Sequence, residues 1–141
     1  MTERPAGPNT GRSIWAVAAA FLLVIPLTLG TDHIFHMTGV YPPYGVPMVG
    51  VGLYLLALSY RIVFGVFAAW LTARLAPWRP MKHVWIQAGI GQVISILGIM
   101  PAVQHPEIYG EVWYPVVLAI TVIPTAWFGG RLYMSGHAEA N

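Results

Sequence analysis

The sequence predicts an all-α integral membrane protein, a compact four-helix transmembrane bundle with both termini cytoplasmic. Three observations predict it. Of 141 residues, 57% are hydrophobic and 9% charged, too little polar surface for a water-soluble domain. Four apolar stretches, about 14–34, 49–75, 83–103 and 112–133, each approach or exceed the ~20 residues an α-helix needs to cross ~30 Å of hydrocarbon. Of the Lys and Arg residues, all but Arg61 fall on one side of these stretches. The apolar runs are continuous and do not alternate with a period of two, which disfavours a β-barrel.

Residues 1–12, rich in Pro, Gly, Thr and Asn, are expected to form a short disordered cytoplasmic tail ending at Arg12. A transmembrane domain over 13–134 and a second cytoplasmic tail over 135–141 follow. The first apolar run is longer than a typical leader core and is followed by no small-x-small cleavage site, so it is expected to stay as the first helix. Beyond it, Asp32 to Met48 holds no Lys or Arg. Pro42, Pro43, Gly45 and Pro47 make its second half a stiff, non-helical outer loop long enough to fold over the bundle. Helix two leads into the basic turn of Arg74, Pro77, Arg79, Pro80, Lys82 and His83, and helix four closes at Arg131. This is the positive-inside pattern of a multi-pass protein of a bacterial-type cell inner membrane. Trp15, Trp70, Trp78, Trp85 and Trp127 lie toward the cytoplasmic edge, and Tyr41, Tyr44, Tyr109, Trp113 and Tyr114 toward the outer one, as interfacial aromatic belts do. Pro26, Pro101 and Pro124 are expected to kink or end their helices.

Close approach in lipid relies on small residues. Ala88, Gly91, Ser95, Gly98 and Ala102 form a small-residue stripe on helix three, and Gly65, Ala68, Ala69, Thr72 and Ala73 form one on helix two. These stripes predict a tight hairpin of helices two and three, with a homo-oligomer contact as the rival or additional use. The partners expected are the lipid bilayer and a second copy. Nucleic acid has no support, because the net charge is only +2 and the basic residues sit at membrane edges. With no cysteine in the chain, disulfides, thiolate metal sites and cysteine nucleophiles are excluded. No glycine-rich phosphate loop, Gly-x-Ser-x-Gly elbow or multi-histidine di-iron array is present. Small multidrug transporters share the size and helix count, but their first helix carries a buried glutamate, and helix one here has no acid before Asp32.

Arg61 is the one charge well inside a crossing. Counting from Leu75 at 1.5 Å per residue puts it about 21 Å from the cytoplasmic edge, where a cation costs a few kcal/mol unless it is paired or reaches water. Asp32, at the outer end of helix one above Thr28, is the simplest partner. The pair could only fix helix register, or Arg61 could bind an anion, take part in proton coupling or snorkel to the surface. A second constellation is Asp32, His33 and His36 on helix one with His105 and Glu107 in the other outer loop. Their side chains suit zinc or another divalent metal, and equally a pH-responsive polar cap or plain surface polarity.

The leading functional expectation is a non-catalytic inner-membrane protein that binds a lipid, small ligand or partner in an outer polar pocket around Arg61, Asp32 and the histidines. The alternatives are a subunit of an oligomeric small-solute or ion transporter, with Thr72, Gln87, Gln92 and Ser95 on its path, and a membrane-embedded metal-dependent enzyme using the His/Asp/Glu set. The charge pattern has a direct test: a reporter that fluoresces only in the cytoplasm should be bright when fused to either terminus, and a stably expressed but dark fusion at one end would refute the crossing count.

Overall fold

The computed structural model describes residues 9–138. In order, the elements are α1 (Thr10–Met37), α2 (Val51–Leu75), α3 (Pro80–Gln104), the single turn α4 (Pro106–Tyr109) and α5 (Trp113–Ala138). The four long helices are each long and apolar enough to cross a membrane, and the described residues contain no strand. The chain is therefore an all-α, four-helix membrane-type bundle. Its short connection between α2 and α3 defines a turn end, shared by the start of α1 and the end of α5. The segments 38–50 and 105–112 define a loop end.

Two boundaries differ from expectation. The Asn9 side chain accepts a hydrogen bond from the Arg12 backbone N–H at 3.2 Å, an N-cap that lets α1 begin at Thr10. Residues 10–12 of the expected tail are therefore helical, while 1–8 lie outside the described residues. Likewise α5 runs on to Ala138, so 135–138 are helix rather than tail, and 139–141 lie outside the described residues. Pro26, Pro101 and Pro124 all lie inside helices that continue past them. A chain that has no water to satisfy broken backbone bonds keeps its helices.

The interior is built from small side chains. Ala16, Ala20, Ala57, Ala68, Ala69, Ala73 and Ala88 are buried, while Leu22, Leu29, Ile94, Leu97 and Ile120 lie more than half exposed on the outside. That distribution is inverted relative to a soluble core and suits a lipid-facing surface, where helices gain by close approach and the large side chains meet acyl chains. Thr72, fully buried, donates to the Ala16 carbonyl at 3.3 Å and ties α2 to α1 at the turn end.

The tightest contact is not the expected one between α2 and α3. Helix α5 packs against both of them more extensively than they pack on each other, while α1 packs mainly on α2, touches α3 lightly and does not meet α5. Glycines on α5 allow it. A Cβ on Gly129 would lie 2.2 Å from the Val66 carbonyl oxygen and 2.8 Å from the Ala69 Cβ, and one on Gly130 would lie 2.7 Å from the Met81 sulfur. On α2, a Cβ at Gly65 would meet Thr125 of α5 at 2.9 Å. By contrast, a Cβ on Gly98 would meet nothing within 4 Å, and one on Gly91 would make only an ordinary 3.6 Å contact with Val122. Gly91 and Gly98, in the middle of the α3 stripe, thus serve no tight packing.

These distances order the glycines. Gly129→Ala should destabilise the bundle by about 2 kcal/mol or more, since the obstacle is backbone. Gly98→Ala should be neutral or stabilise by up to about 1 kcal/mol through helix propensity. Unfolding in mixed detergent measures both, and equal losses would refute the assignment of α5 as the close-packed helix.

Candidate functional site: a buried ion pair above an apolar cavity

Arg61 sits midway along α2 and Asp32 within the last turns of α1, which runs on to Met37. The fold brings them together. Arg61 Nη2 donates to Asp32 Oδ2 at 2.6 Å, with both side chains 22% exposed. Arg61 Nη1 donates to the Ala57 carbonyl at 3.3 Å and to the Tyr60 hydroxyl at 2.7 Å. Tyr60 in turn donates to Asp32 Oδ1 and accepts from the Tyr41 hydroxyl at 3.2 Å. The guanidinium carbon also lies 5.0 Å from the Tyr60 ring centre and 5.9 Å from that of Tyr114, in range of cation–π attraction. Both carboxylate oxygens and both Arg61 terminal nitrogens are thereby engaged, and the unit carries no net charge.

Tyr41 and Tyr60 are the members sequence reasoning missed. Tyr41, assigned to the interfacial belt, is instead 3% exposed, folded inward from the 38–50 loop with its ring edge-on to Phe35 and His36. Burial raises its phenol above the ordinary value, so it stays protonated and able to donate. The available signal was Tyr60, a hydroxyl-tipped ring adjacent in sequence to Arg61, the one charge well inside an apolar stretch.

The candidate metal ligands are not brought together. Among the described residues no three His, Cys, Asp or Glu side chains gather closely enough to hold a metal ion. Each histidine instead serves its own loop. His36 Nδ1 donates to the Pro42 carbonyl, His33 Nδ1 meets the Tyr44 hydroxyl at 2.8 Å, and the Tyr44 ring stacks on His36 at 4.1 Å. These contacts fasten the proline-rich loop to the end of α1. His105 pairs with Glu107 at 3.1 Å, both more than half exposed, at the other loop. Tyr54, 1% exposed, links the two loops: its hydroxyl donates to the Met48 carbonyl at 2.9 Å and accepts the Glu111 backbone N–H at 3.0 Å. Gly110, at φ 78°, lies so close that a Cβ there would collide with this hydroxyl.

Beneath the ion pair, toward the turn end, lies a cavity of about 380 Å³ between α1, α2, α3 and α5. Arg61 and Thr28 belong to its wall, together with Phe21, Ile25, Ile94 and Leu118, while Asp32 and the histidines do not. The polar pocket expected around the histidines is therefore displaced into the helical layer and is mostly apolar. Small side chains make its room: Gly65 and Ala68 from α2, Ala88, Gly91 and Ser95 from α3, Ala126 from α5. Its wall also includes Gln87, 8% exposed, whose side-chain oxygen is buried without a hydrogen-bond partner. The arrangement can hold an apolar chain and offer polar groups to it. It presents no nucleophile with an adjacent base. No family model, curated protein or solved structure matches the chain.

The ion pair yields a quantitative test. Arg61→Ala or Asp32→Asn alone should cost roughly 3 kcal/mol of bundle stability, because each strands a partly buried group. Tyr60→Phe should cost about 1 to 3 kcal/mol. In a double-mutant cycle the Arg61 and Asp32 losses should couple by about 1 kcal/mol or more. Additive losses in detergent unfolding would show that the two groups are satisfied independently.

Proposed function

We propose that this is a non-catalytic, multi-pass inner-membrane protein that binds an amphipathic molecule taken directly from the lipid. The observation that carries this reading is the cavity between α1 and α3. These helices make the lightest contact of any long-helix pair that touches, and wall residues Ile25, Leu29 and Ile94 are also at least half exposed on the outside of the bundle. A cavity with such walls admits an acyl or isoprenoid chain sideways, as membrane-embedded binding sites for apolar ligands require. The turn end supports binding over a through-passage, since Ala16, Ala20, Ala69, Ala73 and Val84 are fully buried there and close the bundle. In this reading the turn end faces the cytoplasm, supported by Arg12, Arg74, Arg79, Lys82 and Arg131. Four of these five cations rest over indole rings: Arg74 on Trp70, Arg79 and Lys82 on Trp78, Arg131 on Trp127. Arg12 is the exception. The Arg61–Asp32 pair then lies in the outer half of the membrane.

The test uses the protein in lipid nanodiscs with three photoactivatable sixteen-carbon chains that end in a hydroxyl, a methyl ether or a carboxylate. At least one should label cavity-wall residues saturably, and Ser95→Phe, which fills the cavity, should reduce that labelling by roughly tenfold, equivalent to ~1.4 kcal/mol of binding. Labelling confined to outward-facing positions such as Leu97, and indifferent to Ser95→Phe, would refute a binding cavity.

A further inference from the structure

We infer that the turn end of the bundle is a docking surface for anionic phospholipids, whose headgroup phosphates are held by Arg74, Arg79, Lys82 and Arg131, each cation seated over an indole ring. This surface is separate from the cavity and does not depend on what the cavity binds. Its basis is the placement of charge. Asp32, Glu107 and Glu111 lie toward the loop end, whereas Arg12, Arg74, Arg79, Lys82 and Arg131 lie at the turn end, so among the described residues that end carries five cations and no acid. Outside the described residues the sequence adds Arg4, Glu3 and Glu139 on that side, which leaves the basic excess in place. Helix α2, with 25 residues, separates the two ends by about 37 Å, several times the ~8–10 Å over which salt solution transmits a charge. The loop-end acids therefore leave the turn end uncompensated, and none of its five cations joins an ion pair among the described residues.

The cations are also held in place. The guanidinium carbons of Arg74, Arg79 and Arg131 lie 5.3, 5.8 and 5.5 Å from the ring centres of Trp70, Trp78 and Trp127, and Lys82 Nζ lies 4.9 Å from that of Trp78. An indole face attracts a cation without neutralising it, so each keeps its full charge while its position is restricted. All four side chains are exposed. Trp78 takes Arg79 and Lys82 together, with no acid between them. Like charges gathered at one ring repel, and a phosphate between them replaces that repulsion with two charge-assisted contacts.

Depth favours a phosphate that carries acyl chains over a soluble one. On α5, Trp127, Phe128 and Leu132 are 45%, 50% and 44% exposed, and they line one groove with Arg131 and Ser135. From Trp127 to Ser135 the helix rises about 12 Å, passing from aromatic rings to a cation to a hydroxyl as it approaches the turn end. A phospholipid presents its acyl chain, phosphate and polar headgroup in the same order. A free phosphate or an acidic peptide would match the charge and leave the apolar part of the groove unused. A zwitterionic lipid would bring its own ammonium toward the surface, where the cations repel it.

Native mass spectrometry of the full-length protein in neutral detergent tests this, with phosphatidylglycerol or phosphatidylcholine of the same acyl chains titrated in. Phosphatidylglycerol should bind at a concentration roughly tenfold lower. Arg131→Gln, and Arg79→Gln combined with Lys82→Gln, should each weaken it by roughly fivefold and leave phosphatidylcholine binding unchanged, while Arg131→Lys should retain most of the preference. Trp127→Leu, which removes a ring and no charge, should weaken phosphatidylglycerol by about threefold. Excess glycerol phosphate should displace none of it. Equal affinity for the two lipids, a preference indifferent to the glutamine substitutions, or equal loss of both lipids in those variants would overturn the docking surface. Displacement by glycerol phosphate would identify a soluble phosphate ligand instead, and indifference to Trp127→Leu would reduce the effect to net charge; either result would overturn the inference as stated.

Discussion

A guanidinium carried to the middle of a membrane-spanning helix must be neutralised and hydrogen-bonded on the spot, and the loop end of this protein is organised around that requirement. Arg61 draws Asp32 from α1, and the pair draws in Tyr60 and, through it, Tyr41 from the connecting loop. One buried cation therefore fixes the register of α1 against α2 and the path of residues 38–50 together. The loop's own chemistry agrees with this. Its prolines stiffen it, and His33 and His36 fasten it to α1 through Tyr44 and the Pro42 carbonyl. Residues with the look of metal ligands are thus occupied as loop anchors.

The same network keeps charge away from the cavity below. An unpaired arginine on that wall would attract anions or water and would turn an apolar chamber into a wet one. Paired with Asp32 and covered by tyrosine rings, Arg61 contributes directed N–H groups without a net field. The opposite end is sealed by different means, with alanines at van der Waals distance and the Thr72 hydroxyl on the Ala16 carbonyl. Between a polar lid and a close-packed base, the light contact of α1 with α3 leaves the chamber least covered on that side.

Crossings and turns were legible in the sequence because they depend on long-range composition: four apolar runs, a basic turn and a proline-rich loop. The Asp32–Arg61 pairing was legible too, since one cation and one acid at matching depth leave few other solutions. What failed were inferences that needed helix azimuths. Small residues at spacings of three and four mark a face without saying which neighbour it meets, and the α3 stripe was matched to α2 although α3 packs more extensively on α5. His33, His36, His105 and Glu107 were grouped by side of the membrane, but among the described residues no three such ligands meet, and His105 pairs with Glu107 on its own loop. Tyr41 reads as an interfacial ring because nothing local in Tyr41 to Pro43 says that the loop turns inward.

The two small-residue stripes end up with different physical tasks, although they look alike in sequence. Where α5 supplies Gly129 and Gly130, its backbone comes close to the Val66 carbonyl and Ala69 of α2 and to the Met81 and Val84 side chains of α3, and the gain is dispersion energy over many atom pairs. Farther along α3, Gly91 and Ser95 face no such partner, because α1 is held toward α2 by Thr72 and by the Arg61 network and cannot close against α3. Small side chains there leave volume unfilled. Larger side chains at these two positions would close the cavity that Phe21, Ile25 and Leu118 also line.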